Sequence, residues 1–432
     1  MQLSNELRYG GRFLFRDNPA LTTRVAAELA ANETLDEGQL AEYGRRHLHA
    51  TLQRAIKVLP YYSHISRDFG IDESEQVLRD AFPIIDKATL LANRETLYPN
   101  GGVKKFWQAL GKTSGTTGTP LEVFRSSRSI LYENEFVKRH WSCGGFRPGM
   151  KRATLRGDMV VGLDQPAPPY WFYNRYNNQL LLSSRHLNDD CIDAIIDKLD
   201  EFSPDMLQAY PSTAHTLATY LERRGRKLHI PVVFSSSEPM YAHQRKSITT
   251  WLAHEIMDMY GMAERVAFAT QCELGSMHLN PDYSHVEIVD GFVVGTTYHN
   301  DAMPLVRYRL SDQTRWKHGN CACGRVFPMI EEVTGKYEDS ITGSNGAVVS
   351  PTMLYFAFDY VEHIRGSQVA QIGPAHWQVR LLPDMDFSSA DQQKIVDNIH
   401  TLVDAGVQVD VVIRAELPGT AADKFRWVVN ET

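Results

Sequence analysis

The chain has 432 residues, 43% of them hydrophobic and 22% charged, with a formal net charge of −7. That length exceeds one core of ordinary size and predicts a large domain with a smaller one, in a soluble globular protein of common composition. An acidic balance without a Lys/Arg run argues against nucleic acid or an anionic membrane as partner. The absence of any apolar leader or bilayer-length apolar run points to the cytoplasm, and five cysteines argue against a disulfide framework.

In chain order, Leu40, Tyr43, Leu48, Leu52, Ile56 and Leu59 recur at helical steps and predict a helix over 40–59 that ends at Pro60-Tyr61-Tyr62. Phe82-Pro83-Ile84-Ile85-Asp86-Lys87 leads into a second helical stretch around Leu90 and Leu91. Then comes the stretch that organises the rest, Lys112-Thr113-Ser114-Gly115-Thr116-Thr117-Gly118-Thr119-Pro120-Leu121. Two glycines let backbone amides approach a ligand and five hydroxyls add donors, so the segment is suited to wrap a polyphosphate. A Walker-type loop is excluded, because it needs glycine where this chain has Phe106. The plain alternative is a flexible Ser/Thr/Gly surface loop; the ordered residue types and the strand-like Leu121-Glu122-Val123-Phe124 favour the anion.

Beyond the loop, helical and strand-like segments alternate, which predicts an α/β fold. Ile192, Ile195, Ile196, Leu199 and Phe202 share a helical face after a cap at Asp189 or Asp190, and Ser212 can cap a helix that stops at Gly225. Strand Ile230–Phe234, helix Tyr241–His254 and strand Glu255–Tyr260 make a βαβ unit, and ligands of parallel sheets sit at the carboxyl ends of the strands. Those ends are Ser235-Ser236-Ser237-Glu238-Pro239 and Tyr260-Gly261-Met262-Ala263-Glu264. The Glu264 carboxylate can hold a hard cation that bridges phosphates, or can sit at a helix start favoured by the dipole. A hairpin over 286–298 turns at Asp290-Gly291. Asp312, at the end of Met303-Pro304-Leu305-Val306-Arg307-Tyr308-Arg309-Leu310-Ser311-Asp312, offers two acceptors to a vicinal diol, or an ion pair to Arg307 or Arg309.

Cys321 and Cys323 lie on one tight turn, with Cys272 and His278 upstream; three thiolates and an imidazole make a closed tetrahedral zinc set. His318 is the rival fourth ligand, and unligated cysteines, as with Cys143 and Cys191, are the plain alternative. After Gly335-Lys336-Tyr337-Glu338-Asp339, strands at 369–372, 377–382, 407–413 and 425–429 around a helix over 390–405 predict a small α+β module.

These segments, in this order, resemble the adenylate-forming ligases, the superfamily of acyl-CoA synthetases, and within it the phenylacetate-CoA ligase and capsule-biosynthesis branch. The resemblance covers nearly the whole chain. It implies an adenylation domain over 1–338 and a mobile lid over 339–432. In these terms Thr113 to Thr119 hold the phosphates of ATP, Ser237-Glu238-Pro239 flank adenine, Tyr260 and Gly261 line it, Glu264 places Mg²⁺, and Asp312 binds the ribose. Asp339 is the hinge. Lys336 stands where the family has arginine, which keeps the charge and loses the bidentate fork. Lys424 in Pro418-Gly419-Thr420-Ala421-Ala422-Asp423-Lys424 matches the catalytic lysine, with Asp423 in the place of a glycine; a surface lysine is the alternative. The implied reaction joins a carboxylic acid, of an aryl or arylalkyl kind, to AMP and then to CoA. An amine, hydroxyl or carrier-protein thiol is the alternative acceptor, and a non-catalytic nucleotide-binding relative the rival of another class. A homodimer is open to such a chain.

Overall fold

The computed structural model describes residues 2–112, 121–334, 339, 341–349, 351–358, 361, 363–417 and 426–432. A ten-stranded sheet runs through the body, and five adjacent strands at its centre are parallel. From one side of this run to the other they are Ala253–Gly261, Ile230–Ser236, Met206–Ala209, Arg152–Leu155 and Gln179–Leu182. Both faces of these strands are covered, which is why Ile230–Ser236 reads as a nearly unbroken apolar run: every residue but Pro231 is buried. Helices Ile192–Phe202, Pro211–Arg223 and Ala242–Trp251 cover one face, with Ile195, Leu217 and Ile248 against Leu207, Val233 and Ile256, and on the other Trp141 of helix Ser127–Cys143 packs with Met206, Val232, Phe234 and Met257. Antiparallel strands extend the sheet on both sides, Trp171–Asn174 at one edge and Phe268–Gln271, Met277–Leu279, Met329–Ile330 and Trp316–Lys317 at the other.

The βαβ unit forms as the periodicity predicts, and the helix before it, Pro211–Arg223, stops at Gly225 with φ +61°. One cap differs. The helix begins at Ile192, and Asn188 Oδ1 accepts from the backbone of Asp190 and Cys191, both at 3.1 Å. An Asx turn therefore precedes the helix, and neither aspartate caps it.

A second core joins the long helix Glu37–Val58 to a three-stranded sheet of Ser284–Val289, Phe292–Thr297 and Tyr308–Gln313. Asp36 and Gln39 form a capping box at the helix start, and Asp290 and Gly291 turn the hairpin with positive φ at both positions, as a type I′ turn requires. Strands Ala109–Lys112 and Glu122–Arg125 pair with each other, and Leu121, Val123 and Phe124 are buried in this same core. At the carboxyl end of the chain, strands Gln408–Ile413, His376–Pro383, Ile364–Gly373 and Val428–Asn430 make a four-stranded sheet. With helix Ser389–Leu402 it encloses a separate core that includes Trp377, Leu381, Ile395, Ile399 and Trp427. Among the described residues, no helix is long and apolar enough to cross a membrane.

Candidate nucleotide and metal sites

The carboxyl ends of the parallel strands gather polar groups from distant parts of the chain. Ser237 leaves its strand at φ +74°, a left-handed conformation uncommon for serine, and its Oγ accepts from Arg156 Nη2 at 2.9 Å. Glu238 Oε2 accepts from the backbone of Ser212 at 3.2 Å, in the first turn of helix Pro211–Arg223, where the dipole favours a carboxylate. On the next strand, Tyr260 OH donates to Asp312 Oδ2 at 2.8 Å; burial first, and the Asp312 charge second, hold that phenol well above its usual range. The ion pairs open to Asp312 in the sequence are not formed, because Arg307 pairs with Glu287 at 3.0 Å and Arg309 with Asp86 at 3.1 Å.

Glu264 is buried in a turn that leads to strand Phe268–Gln271, which removes the helix-start alternative. Tyr308 OH donates to it at 3.4 Å. Tyr308 and Asp312 lie on one strand, whose pairing with Phe292–Thr297 shifts register between Arg309 and Gln313. Two contacts, Tyr308 to Glu264 and Asp312 to Tyr260, tie that strand to the Tyr260–Glu264 turn.

Three parts of the predicted site lie outside the described residues: Thr113, Ser114, Gly115, Thr116, Thr117, Gly118 and Thr119 of the loop, Lys336, and Lys424. The loop's flanks are described. Lys112 pairs with Glu122, and Arg125, on the same hairpin, donates from Nη2 to the Ala263 carbonyl at 2.8 Å, inside the Tyr260–Glu264 turn. A Cβ at Gly111 would stand 2.3 Å from the Arg125 guanidinium, so the glycine there makes room for that arginine. Asp339 accepts from Arg426 Nη1 at 2.8 Å and from the backbone of Asn430 at 2.9 Å, which fastens it to the last strand.

The metal cluster is complete among the described residues. Strand Met277–Leu279 pairs with Met329–Ile330, which brings the turn after Cys272 and the Cys321–Gly324 turn together; Gly275 and Gly324 both sit at φ +82°. The ligand atoms of Cys272, His278, Cys321 and Cys323 all lie within 4.8 Å of one another. Cys272 Sγ is 3.8 Å from Cys321 Sγ, and Cys323 Sγ is 3.5 Å from His278 Nε2. A tetrahedron with Zn–S bonds of about 2.3 Å and Zn–N bonds of about 2.0 Å has edges of about 3.8 Å between sulfurs and about 3.5 Å from sulfur to nitrogen, so the residues fit zinc. His278 Nδ1 donates to the Phe327 carbonyl at 2.9 Å, which turns the Nε2 lone pair inward. His318 is exposed and outside the cluster, so the imidazole in place is His278. The Cys323 backbone, as the main cause, pulls the Cys321 thiol down to about 6, towards the thiolate that a metal binds.

Two residues of the mouth carried no signal in the sequence. Arg156 follows a strand of four residues, Arg152–Leu155, that is wholly buried and shows no alternation. Asp258 accepts from Ser235 Oγ at 2.8 Å, and burial pushes its carboxyl up to about 6.

No family model matches the sequence. The chain is 25% identical over 341 residues to the protein CapK of Staphylococcus aureus, covering 74% of this chain and 73% of CapK. It is 24% identical over 351 residues to the phenylacetate-coenzyme A ligase of Thermus thermophilus (74% and 76% covered) and 27% identical over 360 residues to that of Escherichia coli (77% and 79% covered). Among solved structures, a 2-hydroxyisobutyryl-CoA ligase in complex with 2-HIB-AMP and CoA, in its thioesterification state, shares the fold with a TM-score of 0.56 at 17% identity, over 93% of this chain and 92% of that one. The chain is thus similar over about three quarters of its length to CapK and to the phenylacetate-CoA ligases, and it shares the fold of a solved acyl-CoA ligase.

Proposed function

We propose that the protein is an ATP-dependent carboxylic acid ligase that forms an acyl-adenylate and then an acyl-CoA thioester, in the cytoplasm, on an aryl or arylalkyl acid. The observation that carries this reading is the meeting of Tyr260 and Asp312 at 2.8 Å, with buried Glu264 four residues on, at the carboxyl ends of parallel strands. An aromatic ring beside a carboxylate suits a base and its ribose, and a second carboxylate suits the metal of a polyphosphate. The relatives named phenylacetate-coenzyme A ligase support the acid and the thioester.

In the first step the substrate carboxylate oxygen attacks the α-phosphorus of ATP, and pyrophosphate leaves. Little covalent work falls to the protein, so orientation and charge neutralisation lower the barrier. Asp312 accepts from the ribose hydroxyls, while Tyr260, Gly261 and the Ser237-Glu238-Pro239 turn enclose the base. Thr113 to Thr119 wrap the β- and γ-phosphates, and Glu264 would hold Mg²⁺, which offsets phosphate charge. Lys424 neutralises charge between carboxylate and α-phosphate, with Lys336 as a further cation near the nucleotide. Residues 339–432 act as a lid, and rotation about Asp339 withdraws Lys424 and admits the CoA thiol. The Cys272, His278, Cys321 and Cys323 cluster would hold one structural zinc and, with four protein ligands, leaves no position open for catalysis.

The test is pyrophosphate exchange into ATP across a panel of acids, followed by product analysis with CoA, an amine, a hydroxyl and a carrier-protein thiol supplied separately. Acid-dependent exchange with thioester formation from CoA is expected. Exchange without CoA transfer would move the acceptor to another class, and the absence of exchange with every acid would leave only a nucleotide-binding role.

A further inference from the structure

The parallel strands end on a cation, Arg156, that forms no ion pair among the described residues. The Arg156 guanidinium lies 4.6 Å over the ring of Tyr210, Nη2 donates to Ser237 Oγ, and Nε is buried with no hydrogen-bond partner. The nearby carboxylates are engaged elsewhere: Asp158 holds Arg8 at 3.2 Å and Arg12 at 3.9 Å, and Glu238 accepts from Ser212. Arg156 itself is half-buried, and a buried arginine stands on the same side. Arg185 donates only to carbonyls, those of Gly157 at 3.0 Å and Leu402 at 2.8 Å, and burial pulls it down to about 10. Arg156 and Arg185 thus share the surroundings of Tyr210 with Asp158 and Glu238, but neither arginine forms an ion pair with them among the described residues. Holding Ser237 Oγ does not call for this, since a neutral amide could donate the same bond at a lower desolvation cost. An arginine stacked on an aromatic ring and left with open donors is suited to grip a planar anion.

We propose that Arg156 is a specificity-determining residue that binds a second carboxylate on the acid, so that the substrate class is a dicarboxylic acid, with its aryl portion against the Tyr210 side of the pocket. The inference rests on the adenylation reading, which places the acid beside ATP at these strand ends. The carboxylate that reacts faces the nucleotide, and the one that does not react lies on Arg156.

The experiment compares matched pairs, phenylacetate with 4-carboxyphenylacetate and butanoate with succinate, in pyrophosphate exchange. Wild type is expected to show the higher kcat/KM with the diacid of each pair. Arg156→Met lowers the diacid-to-monoacid ratio on the order of tenfold to a hundredfold, the range for one charge-assisted contact, and Arg156→Lys lowers it less. An equal fall with all four acids, or a rise in KM for ATP with the ratio unchanged, would assign Arg156 to Ser237 or to the nucleotide and overturn the proposal. A second readout does not need turnover: in the presence of AMP, diacids raise the Tm of wild type more than monoacids do, and Arg156→Met abolishes the difference. That result without any exchange would keep the anion site and sink only the adenylation reading.

Discussion

The metal cluster and the nucleotide mouth are built on opposite plans, although both draw on the segment between residues 260 and 325. The cluster is assembled by two tight turns on neighbouring antiparallel strands, and its ligand atoms already stand at tetrahedral spacing. The mouth is collected from strand ends far apart in sequence, and its groups meet in pairs, Tyr260 with Asp312, Glu264 with Tyr308, and Ser237 with Arg156. A structural site gains by being closed before its ion arrives. On the proposed reading, a site that must take up an acid, ATP and CoA and release pyrophosphate, AMP and a thioester has to keep donors and acceptors available and to receive its last charge from a separate module. The contrast predicts that damage to the mouth shows in rates with the fold kept, and that damage to the cluster shows in stability first.

The largest effect expected is at Lys424. Replacement by alanine removes the charge that balances the developing negative oxygens and is expected to slow adenylation on the order of a hundredfold to a thousandfold. ATP binding should survive, because in the proposed reading Asp312, Tyr260 and the loop supply it. The comparison of pyrophosphate exchange with equilibrium ATP binding reads both at once. Exchange at the wild-type rate would mean that Lys424 has been misassigned and that the lid delivers another group.

The cluster gives the mirror image. Cys321→Ser with Cys323→Ser should abolish retention of zinc by the purified protein and lower Tm by several degrees, since loss of a metal belongs to the short list of changes that cost several kcal/mol. Wild type is expected to carry one tightly held zinc per chain by metal analysis. Metal-free protein with every thiol freely titratable would show that the tetrahedral spacing is incidental.

Within the mouth, Asp312→Ala should raise KM for ATP on the order of tenfold, as expected for the loss of charge-assisted bonds to a ribose diol. Tyr260→Phe keeps the ring and loses only the hydrogen bond to Asp312, so a severalfold rise is expected. If Tyr260→Phe proved the more damaging of the two, the tyrosine would act through its hydroxyl rather than as a face for the base.

What the sequence could show follows from how local each signal is. The βαβ unit and the lid strands were legible because their apolar spacing is continuous, and the Asp290-Gly291 turn because two residues decide it. The strand ends were legible because Ser237, Glu238, Tyr260 and Glu264 follow recognisable strands directly. Arg156 was not, because its strand has four residues with both faces buried, and its partners Tyr210 and Ser237 lie more than fifty residues away. Gly111 carries no signal of its own in the sequence, and the packed guanidinium of Arg125 gives its reason. Asn188 outcompetes the two aspartates after it because its side chain reaches two amides at once.

The smallest effect expected comes from Asp258, which lies two residues before Tyr260 and belongs to the scaffold of the mouth. Its carboxyl is raised from 3.8 to about 6, chiefly by burial, so the folded chain holds this proton over a pH range in which the unfolded chain has released it. Stability from this group therefore falls as pH rises from 3.8 to about 6, and stays reduced above that. The side chain keeps partial access to solvent, so the cost of the charge above the window is placed at about 1–2 kcal/mol, below the full value of the shift. Asp258→Asn retains an acceptor for Ser235 Oγ and carries no charge. It should raise the urea midpoint at neutral pH, leave it nearly unchanged in acid below the window, and flatten the slope between. An equal gain at both ends would mean that Asp258 destabilises through shape rather than charge, and that its carboxyl titrates normally.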